Sequence, residues 1–321
     1  MEDDMKGMIS IAALALCTAT VPATISTGQT APQAVAATGV TVRDNGLVAT
    51  WYPPASGKRG PAILVLGGSE GGEGGGKKLG EALSRQGYGV LALAYFKAEG
   101  LPEQLQEVQL EYFGKSVAWL QANPLVDAQH IGLYGISKGG EAALLIASRE
   151  PAIHAVVAVV PSSVVWQGIN FANYTDVKST FSLNGRPVPY LAYDTSAPFT
   201  SILDLYARSL KFADEHPDSI IPVEKINGPV LLLSGKSDAL WPSAAMGDQV
   251  IARLDAKGFK HAHTHIAYAD AGHGGMSPSD GSGNNSGAAN MGGTDAGNGF
   301  ARADSWARVA AFFKASIGAP K

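Results

Sequence analysis

The sequence predicts an α/β protein: a mostly parallel central sheet with helices on both faces and a lid-like insertion. Three observations carry that prediction. Short continuous apolar runs such as AILVLGG and PVLLLSG alternate with segments of helical spacing, as strands covered on both faces require. Hydrophobic residues make up 45% of the 321-residue chain and charged residues 16%, which allows a large core. The alternation fails in one long stretch, residues 162–228, where aromatic and proline-dotted sequence intervenes.

Taken in order, VTVRDNGLVATWYPP from Val40 reads as a β-hairpin turning at Asn45-Gly46. AILVLGG from Ala62 is a buried strand running into a glycine-rich turn. KKLGEALSRQGYG is a helix with Leu79, Ala82 and Leu83 apolar and a glycine stop. VLALAYF repeats the buried-strand pattern, and QLQEVQLEYFGKSVAWLQAN (104–123) is expected to form one long amphipathic helix. IGLYG (131–135) is a strand, KGGEAALLIAS (138–148) a helix and IHAVVAVVP (153–161) a strand. The insertion holds one helical stretch, ILDLYARSLKFADEH (202–216). The rhythm then resumes with a strand at 229–235, a helix at 244–258 and a strand at 261–269. A Gly/Ser/Asn-rich loop, 276–299, is expected to be flexible, and ADSWARVAAFFKASI (303–317) to close the chain as a helix. Residues 38–321 thus read as one domain, with 162–228 as a lid or pocket insertion.

Residues 1–37 differ from the rest. The apolar run ISIAALALCTATVPA follows Lys6, is too short to span a bilayer comfortably, and leads into a polar tail of small residues. That is a signal-peptide pattern, closer to form from Met5, with cleavage between Ala23 and Ala37. It predicts an exported protein, periplasmic or secreted, whose mature chain has no stable membrane span. The alternative is a disordered leader on a cytoplasmic protein. Cys17 is the one cysteine, and Leu16 before it does not suit lipidation, so no disulfide framework is expected. A net charge of −4 with no basic run argues against nucleic acid as a partner.

Chemistry concentrates at Gly135-Ile136-Ser137-Lys138-Gly139, which fits G-x-S-x-G between a strand and a helix. A strained turn there lifts a serine oxygen out of the sheet, and the helix N-terminus favours negative charge beside it. A serine hydroxyl needs a base, and in an α/β-hydrolase the partners follow in the order Ser, acid, His. Asp238 follows the strand at 229–235 and His273 the strand at 261–269, so Ser137, Asp238 and His273 are the candidate triad. Asp270 competes as the acid but shares a short loop with the histidine. His261, His263 and His265 alternate along a strand; without an acidic or cysteine ligand pattern they read as a partly exposed face rather than a metal site. The oxyanion needs backbone donors, expected from the amides of Lys138 and Ser69, with Glu70 next. The glycine run at 67–72 lacks the G-K-[ST] ending of a phosphate loop. No metal or organic cofactor is expected.

The segment LPEQLQEVQLEYFGKSVAWLQANPLVDAQHIGLYGISKGGEAALLIAS resembles the catalytic domain of the bile acid-CoA:amino acid N-acyltransferase and acyl-CoA thioesterase family. INGPVLLLSGKSDALWPS, the Ala271-Gly272-His273 loop and ARADSWARVAAFF follow the same pattern, so the resemblance runs from about Gly39 to Ile317. It implies a serine or cysteine nucleophile, an aspartate and a histidine, at Ser137, Asp238 and His273. Conjugating members tend to use cysteine and thioesterases serine, so the resemblance implies hydrolysis of an acyl thioester such as acyl-CoA. Longer members carry an N-terminal β-sandwich for which there is no room before Val40. The alternatives are an exported carboxylesterase or dienelactone-type lactone hydrolase, and a non-catalytic binding protein on the same scaffold. A coenzyme A site needs cations, and the insertion offers Lys178, Arg186, Arg208 and Lys211 without clustering. Oligomeric state is not readable.

Overall fold

The computed structural model describes residues 38–277 and 291–320. The expected hairpin forms between β1 (Val40–Val42) and β2 (Ala49–Tyr52). Asn45 and Gly46 take φ of 50° and 80°, and Leu47 N donates to the Asp44 carbonyl at 2.8 Å, a turn whose twist suits antiparallel strands. Next come β3 (Gly60–Leu66), α1 (Gly74–Ser84), β4 (Gly89–Leu93) and a short β5 (Val108–Gln109). They are followed by α2 (Leu110–Ala122), β6 (Val126–Ile136), α3 (Lys138–Ala147) and β7 (Ala155–Val159). The insertion contributes β8 (Phe181–Leu183), β9 (Arg186–Pro187) and α4 (Ile202–Leu210). The order closes with β10 (Val230–Gly235), α5 (Ser243–Ala256), β11 (His263–Tyr268) and α6 (Asp295–Ile317).

Eight strands form one sheet in the order β1-β2-β4-β3-β6-β7-β10-β11, and β5, β8 and β9 form a second, smaller one. From β4 to β11 every pairing is parallel, and β2 joins β4 antiparallel at one edge. Alternation of side chains sorts the core into two layers. Leu64, Leu66, Leu91, Leu133, Val156 and Leu232 pack with Phe113, Val117, Leu144 and Leu254 of α2, α3 and α5. Ile63, Val65, Val90, Tyr134, Val157 and Leu233 pack with Leu79, Leu83, Val309 and Phe313 of α1 and α6. Burial on both faces explains the unbroken apolar runs. After β3 the chain moves outward to β4, then returns to place β6 on β3's other side, with Leu66 opposite Gly135. The loops leaving β3 and β6 therefore emerge side by side at the strands' carboxyl ends, where such sheets place ligands.

Three helix boundaries differ from the sequence reading by six residues or more. The helix expected over 104–123 starts at Leu110, because Val108 and Gln109 pair in parallel with Phe181 and Ser182 of the insertion. The helix expected over 202–216 stops at Leu210 and gives way to 3-10 turns at Ala213–Glu215 and Pro217–Ser219. The closing helix begins at Asp295, eight residues before the expected start at 303, with the Thr294 hydroxyl capping Gly297 N at 3.0 Å. Residues 291–299 of the loop expected to be flexible are thus bridge and helix. The rest of that loop from 278 to 290, and the leader over 1–37, lie outside the described residues. No helix among the described residues is long and apolar enough to cross a membrane.

Candidate active site

Ser137 stands between β6 and α3 at φ 57° and ψ −124°, a conformation that costs a non-glycine residue about 1–3 kcal/mol. The flanking glycines make the corner possible. A β-carbon on Gly135 would collide with the Gly139 carbonyl, and one on Gly139 with the Gly67 carbonyl of the neighbouring loop. The half-buried hydroxyl that results lies 2.8 Å from His273 Nε2. His273 Nδ1 lies 2.9 Å from Asp238 Oδ2, and both residues are buried. The three residues expected from chain order therefore meet.

Asp238 is anchored on both oxygens. Oδ1 accepts from Leu240 N (2.9 Å) and Trp241 N (3.2 Å), and Oδ2 accepts from the Ser243 hydroxyl at 2.6 Å as well as facing the imidazole. Ser243 opens α5, so the carboxylate also sits at a helix N-terminus, where negative charge is favoured. The edge of Trp241 closes over the imidazole with ring centroids 5.7 Å apart. Asp270 does not reach the imidazole; its backbone carbonyl accepts from Thr294 N at 2.9 Å instead.

The glycine loop after β3 comes within contact of Ser137: a β-carbon on Gly68 would lie 3.2 Å from Ser137 Cβ. Gly68 N is occupied, donating to the Glu70 carboxylate at 3.1 Å. The amides of Ser69 and Lys138, the two donors expected from sequence, have no acceptor among the described residues. The buried Tyr95 hydroxyl donates to the carbonyls of Gly67 (2.8 Å) and Gly68 (3.2 Å), and burial holds its pKa well above 10. It therefore stays protonated, and a donor, at neutral pH.

The Lys138 side chain turns away from solvent. Its ammonium is 2.6 Å from Glu141 Oε2 and donates to Thr180 Oγ1 at 2.8 Å, while Glu141 Oε1 accepts from Trp166 N at 3.1 Å. Burial pushes the lysine pKa down and the glutamate pKa up, and their mutual attraction opposes both shifts. Thr180 and Trp166 belong to the insertion, so the elbow and the insertion share this ion pair. Sequence reasoning named the amides of Lys138 and Ser69 and did not name Tyr95, Glu141, Ser243 or Trp241. Ser243, five residues after an acid and opening a helix, was the legible one.

Elsewhere the expected histidine face divides. His263 Nε2 meets Asp255 at 2.9 Å and His265 Nδ1 meets Asp248 at 2.8 Å, whereas His261 precedes β11. The described residues hold no group of three or more His, Cys, Asp or Glu able to bind a metal ion. Of the insertion's cations, Lys178 faces Glu107 and Asp176 at 3.9 and 3.6 Å, and Arg208 is held by Asp194 at 2.9 Å.

Residues 108–319 match the family described as BAAT / Acyl-CoA thioester hydrolase C terminal. Mouse acyl-coenzyme A thioesterase 2, mitochondrial, is 34% identical over 234 residues, 73% of this chain and 49% of the relative. Human acyl-coenzyme A thioesterase 1 is 32% identical over 197 residues, 60% of this chain and 44% of the relative. The chain thus spans about half the length of the curated relatives it matches. Among solved structures, a protein described as a dienelactone hydrolase from Klebsiella pneumoniae superposes with a TM-score of 0.55 at 18% identity, covering 86% of this chain and 97% of its own. An esterase from Pyrobaculum calidifontis superposes with a TM-score of 0.53 at 16% identity, covering 87% of this chain and 85% of its own. At that identity the likeness speaks to fold.

Proposed function

The chain belongs to the BAAT / acyl-CoA thioester hydrolase family and has the α/β-hydrolase fold, and from that premise we propose a serine hydrolase that cleaves acyl thioesters, acyl-CoA first among them. We take residues 38–321 as its single catalytic domain, with 162–228 as the insertion over the pocket. One observation carries the reading: Ser137 Oγ, His273 Nε2 and Nδ1, and Asp238 Oδ2 are joined at 2.8 and 2.9 Å at a strained strand-to-helix corner.

Ser137 Oγ attacks the acyl carbon and gives its proton to His273 Nε2. Asp238 holds the ring through Nδ1 and stabilises the imidazolium. The tetrahedral oxyanion is received by the amides of Lys138 and Ser69. Collapse expels the thiol, protonated by His273, and leaves an acyl-Ser137 ester. Water, deprotonated by the same imidazole, then releases the acid. Ser137 in place of cysteine favours water as the acceptor, because an oxygen ester is a poorer target for an amine than a thioester is. None of these steps needs a metal or an organic cofactor.

The second reading is an esterase or lactone hydrolase, and one observation favours it. Lys178 and Arg208, two of the insertion's five Lys and Arg residues, already face carboxylates and are poorly placed to bind coenzyme A phosphates. The expected export, or the cytoplasmic alternative, rests on residues 1–37. A paired assay of purified protein on acyl-CoA thioesters and p-nitrophenyl esters, with Ser137→Ala as control, tests the reading. Faster turnover of acyl-CoA, abolished in Ser137→Ala, supports the thioesterase. Turnover of simple esters alone turns the reading to the esterase, and equal activity in the variant removes the triad.

A further inference from the structure

The loop carrying His273 is Ala271-Gly272-His273-Gly274-Gly275, which has little rigidity of its own. Asp238 and Ser137 each meet one ring nitrogen and Trp241 packs on the ring, but none of these contacts holds the backbone of the loop. The rest of the restraint comes from residues 291–298, which run between the acid loop and the histidine loop. The Met291 carbonyl accepts from both, at 2.8 Å from His273 N and 3.2 Å from Ala239 N. Gly292 bridges to Asp238 and Gly293 to Ala271. The approach is so close that a β-carbon on Gly292 would collide with the Ser237 carbonyl, and one on Gly272 with the Gly292 carbonyl.

One side chain locks this three-stranded contact. Asn298, in the first turn of α6, is 3% exposed. Its Oδ1 accepts from Gly272 N at 2.8 Å, and its Nδ2 donates to the Gly292 carbonyl at 3.3 Å. The acceptor thus fixes the Ala271-Gly272 peptide, one residue before His273, and the donor ties that peptide to the strand that grips Asp238. Only a side chain with a donor and an acceptor on one short stem fits both ends. α6 packs on the sheet through Val309, Phe313 and Ile317, so the restraint is anchored to the core.

We propose that Asn298 is a positioning residue for the hydrolysis, setting the imidazole of His273 between Ser137 and Asp238. The inference rests on the triad reading above. A misplacement near 1 Å costs on the order of 10²-fold in rate, so loss of the Gly272 contact acts on kcat rather than on KM.

The test is active-site titration of the full chain with a fluorophosphonate probe, in which Ser137 Oγ bonds to phosphorus, fluoride leaves and His273 takes the proton. Amplitude counts assembled sites, and the rate constant reports how well each one reacts. Asn298→Ala is expected to keep the wild-type amplitude while labelling rate and kcat fall about 30- to 100-fold. KM should move less than about threefold, because substrate contacts are untouched. Asn298→Asp keeps an acceptor for Gly272 N but turns a second oxygen toward the Gly292 carbonyl, so it is expected to fall between the alanine variant and wild type. Asn298→Leu, similar in volume and without polar atoms, is the second variant should the alanine fail to fold. Reduced amplitude at an unchanged rate constant in both Ala and Leu variants would mean a purely structural brace and overturn the proposal. So would unchanged kinetics, or an aspartate variant as slow as alanine. A wild-type chain that the probe does not label sinks the hydrolase reading itself, and this inference with it.

Discussion

A serine, a histidine and an aspartate at hydrogen-bond distance do not by themselves make a hydrolase, and this chain contains the control. Ser234 Oγ lies 2.6 Å from His265 Nε2, and His265 Nδ1 lies 2.8 Å from Asp248. Yet Ser234 is fully buried inside β10, without positive φ, whereas Ser137 is half-buried at a strained corner beside two amides with no acceptor among the described residues. The corner and the donors separate the two sets. Of those donors, the Ser69 amide depends on Tyr95, whose hydroxyl holds the Gly67 and Gly68 carbonyls. Tyr95→Phe leaves both carbonyls without that donor and lets the Ser69 peptide drift. Removing an oxyanion donor outright costs about 10²–10³-fold, so displacing one is expected to lower kcat about tenfold with little change in KM. Steady-state kinetics check this, and an unchanged kcat would detach the tyrosine from the site. Ser137, Asp238 and His273 were legible because each follows a strand in a known order. Tyr95 and Asn298 were not, because their partners are backbone groups whose proximity exists only after folding.

Elements were legible where periodicity was local and obscure where a tertiary partner decided the boundary. The apolar runs of β3, β4, β7 and β10 identified themselves; the start of α2 did not, because its pairing partner Phe181 lies some seventy residues away. β11 shows how an element's own polar residues find a use. Its alternating histidines suggested a shared face, and the structure gives two of them separate carboxylates on α5. For His263, the hydrogen bond to the His261 carbonyl, then that to Asp255, holds the imidazole pKa above its ordinary value. A raised folded-state pKa contributes stability that is complete below the unfolded value of about 6.5 and is lost as pH rises through the folded one. Asp255 is largely exposed, so solvent screening limits the pair to about 0.2–1 kcal/mol. The gap in urea midpoint between wild type and His263→Gln is therefore expected to be wider at about pH 5.5 than at about pH 8.5. Equal gaps at both values would show that the imidazole's charge contributes nothing to holding β11 on α5.

At the scale of the whole molecule, the insertion is fastened to the α/β core beside Ser137. Lys138 and Glu141, on the first turn of α3, reach across to Thr180 and Trp166, and Trp241 of the acid loop packs on Tyr206 of α4 and on His273. The sequence marked residues 162–228 as an interruption but held no sign of this fastening, since it gave a role to the Lys138 amide alone and none to its side chain or to Glu141. The pair's burial sets what its removal does. Glu141→Leu alone leaves the Lys138 ammonium buried without its counter-charge, which costs about 3–5 kcal/mol. Exchanging both, as Lys138→Met with Glu141→Leu, removes that penalty. Trp166 N still loses its acceptor, so the double variant is expected to stay about 1–3 kcal/mol below wild type. Urea unfolding of the three proteins measures the order: wild type, double variant, single variant. The same order should hold for catalysis, because the helix turn that carries the pair also supplies the Lys138 amide. A double variant no more stable than the single one would mean that the ion pair is incidental, and that packing of Trp166 and Tyr206 alone seats the insertion.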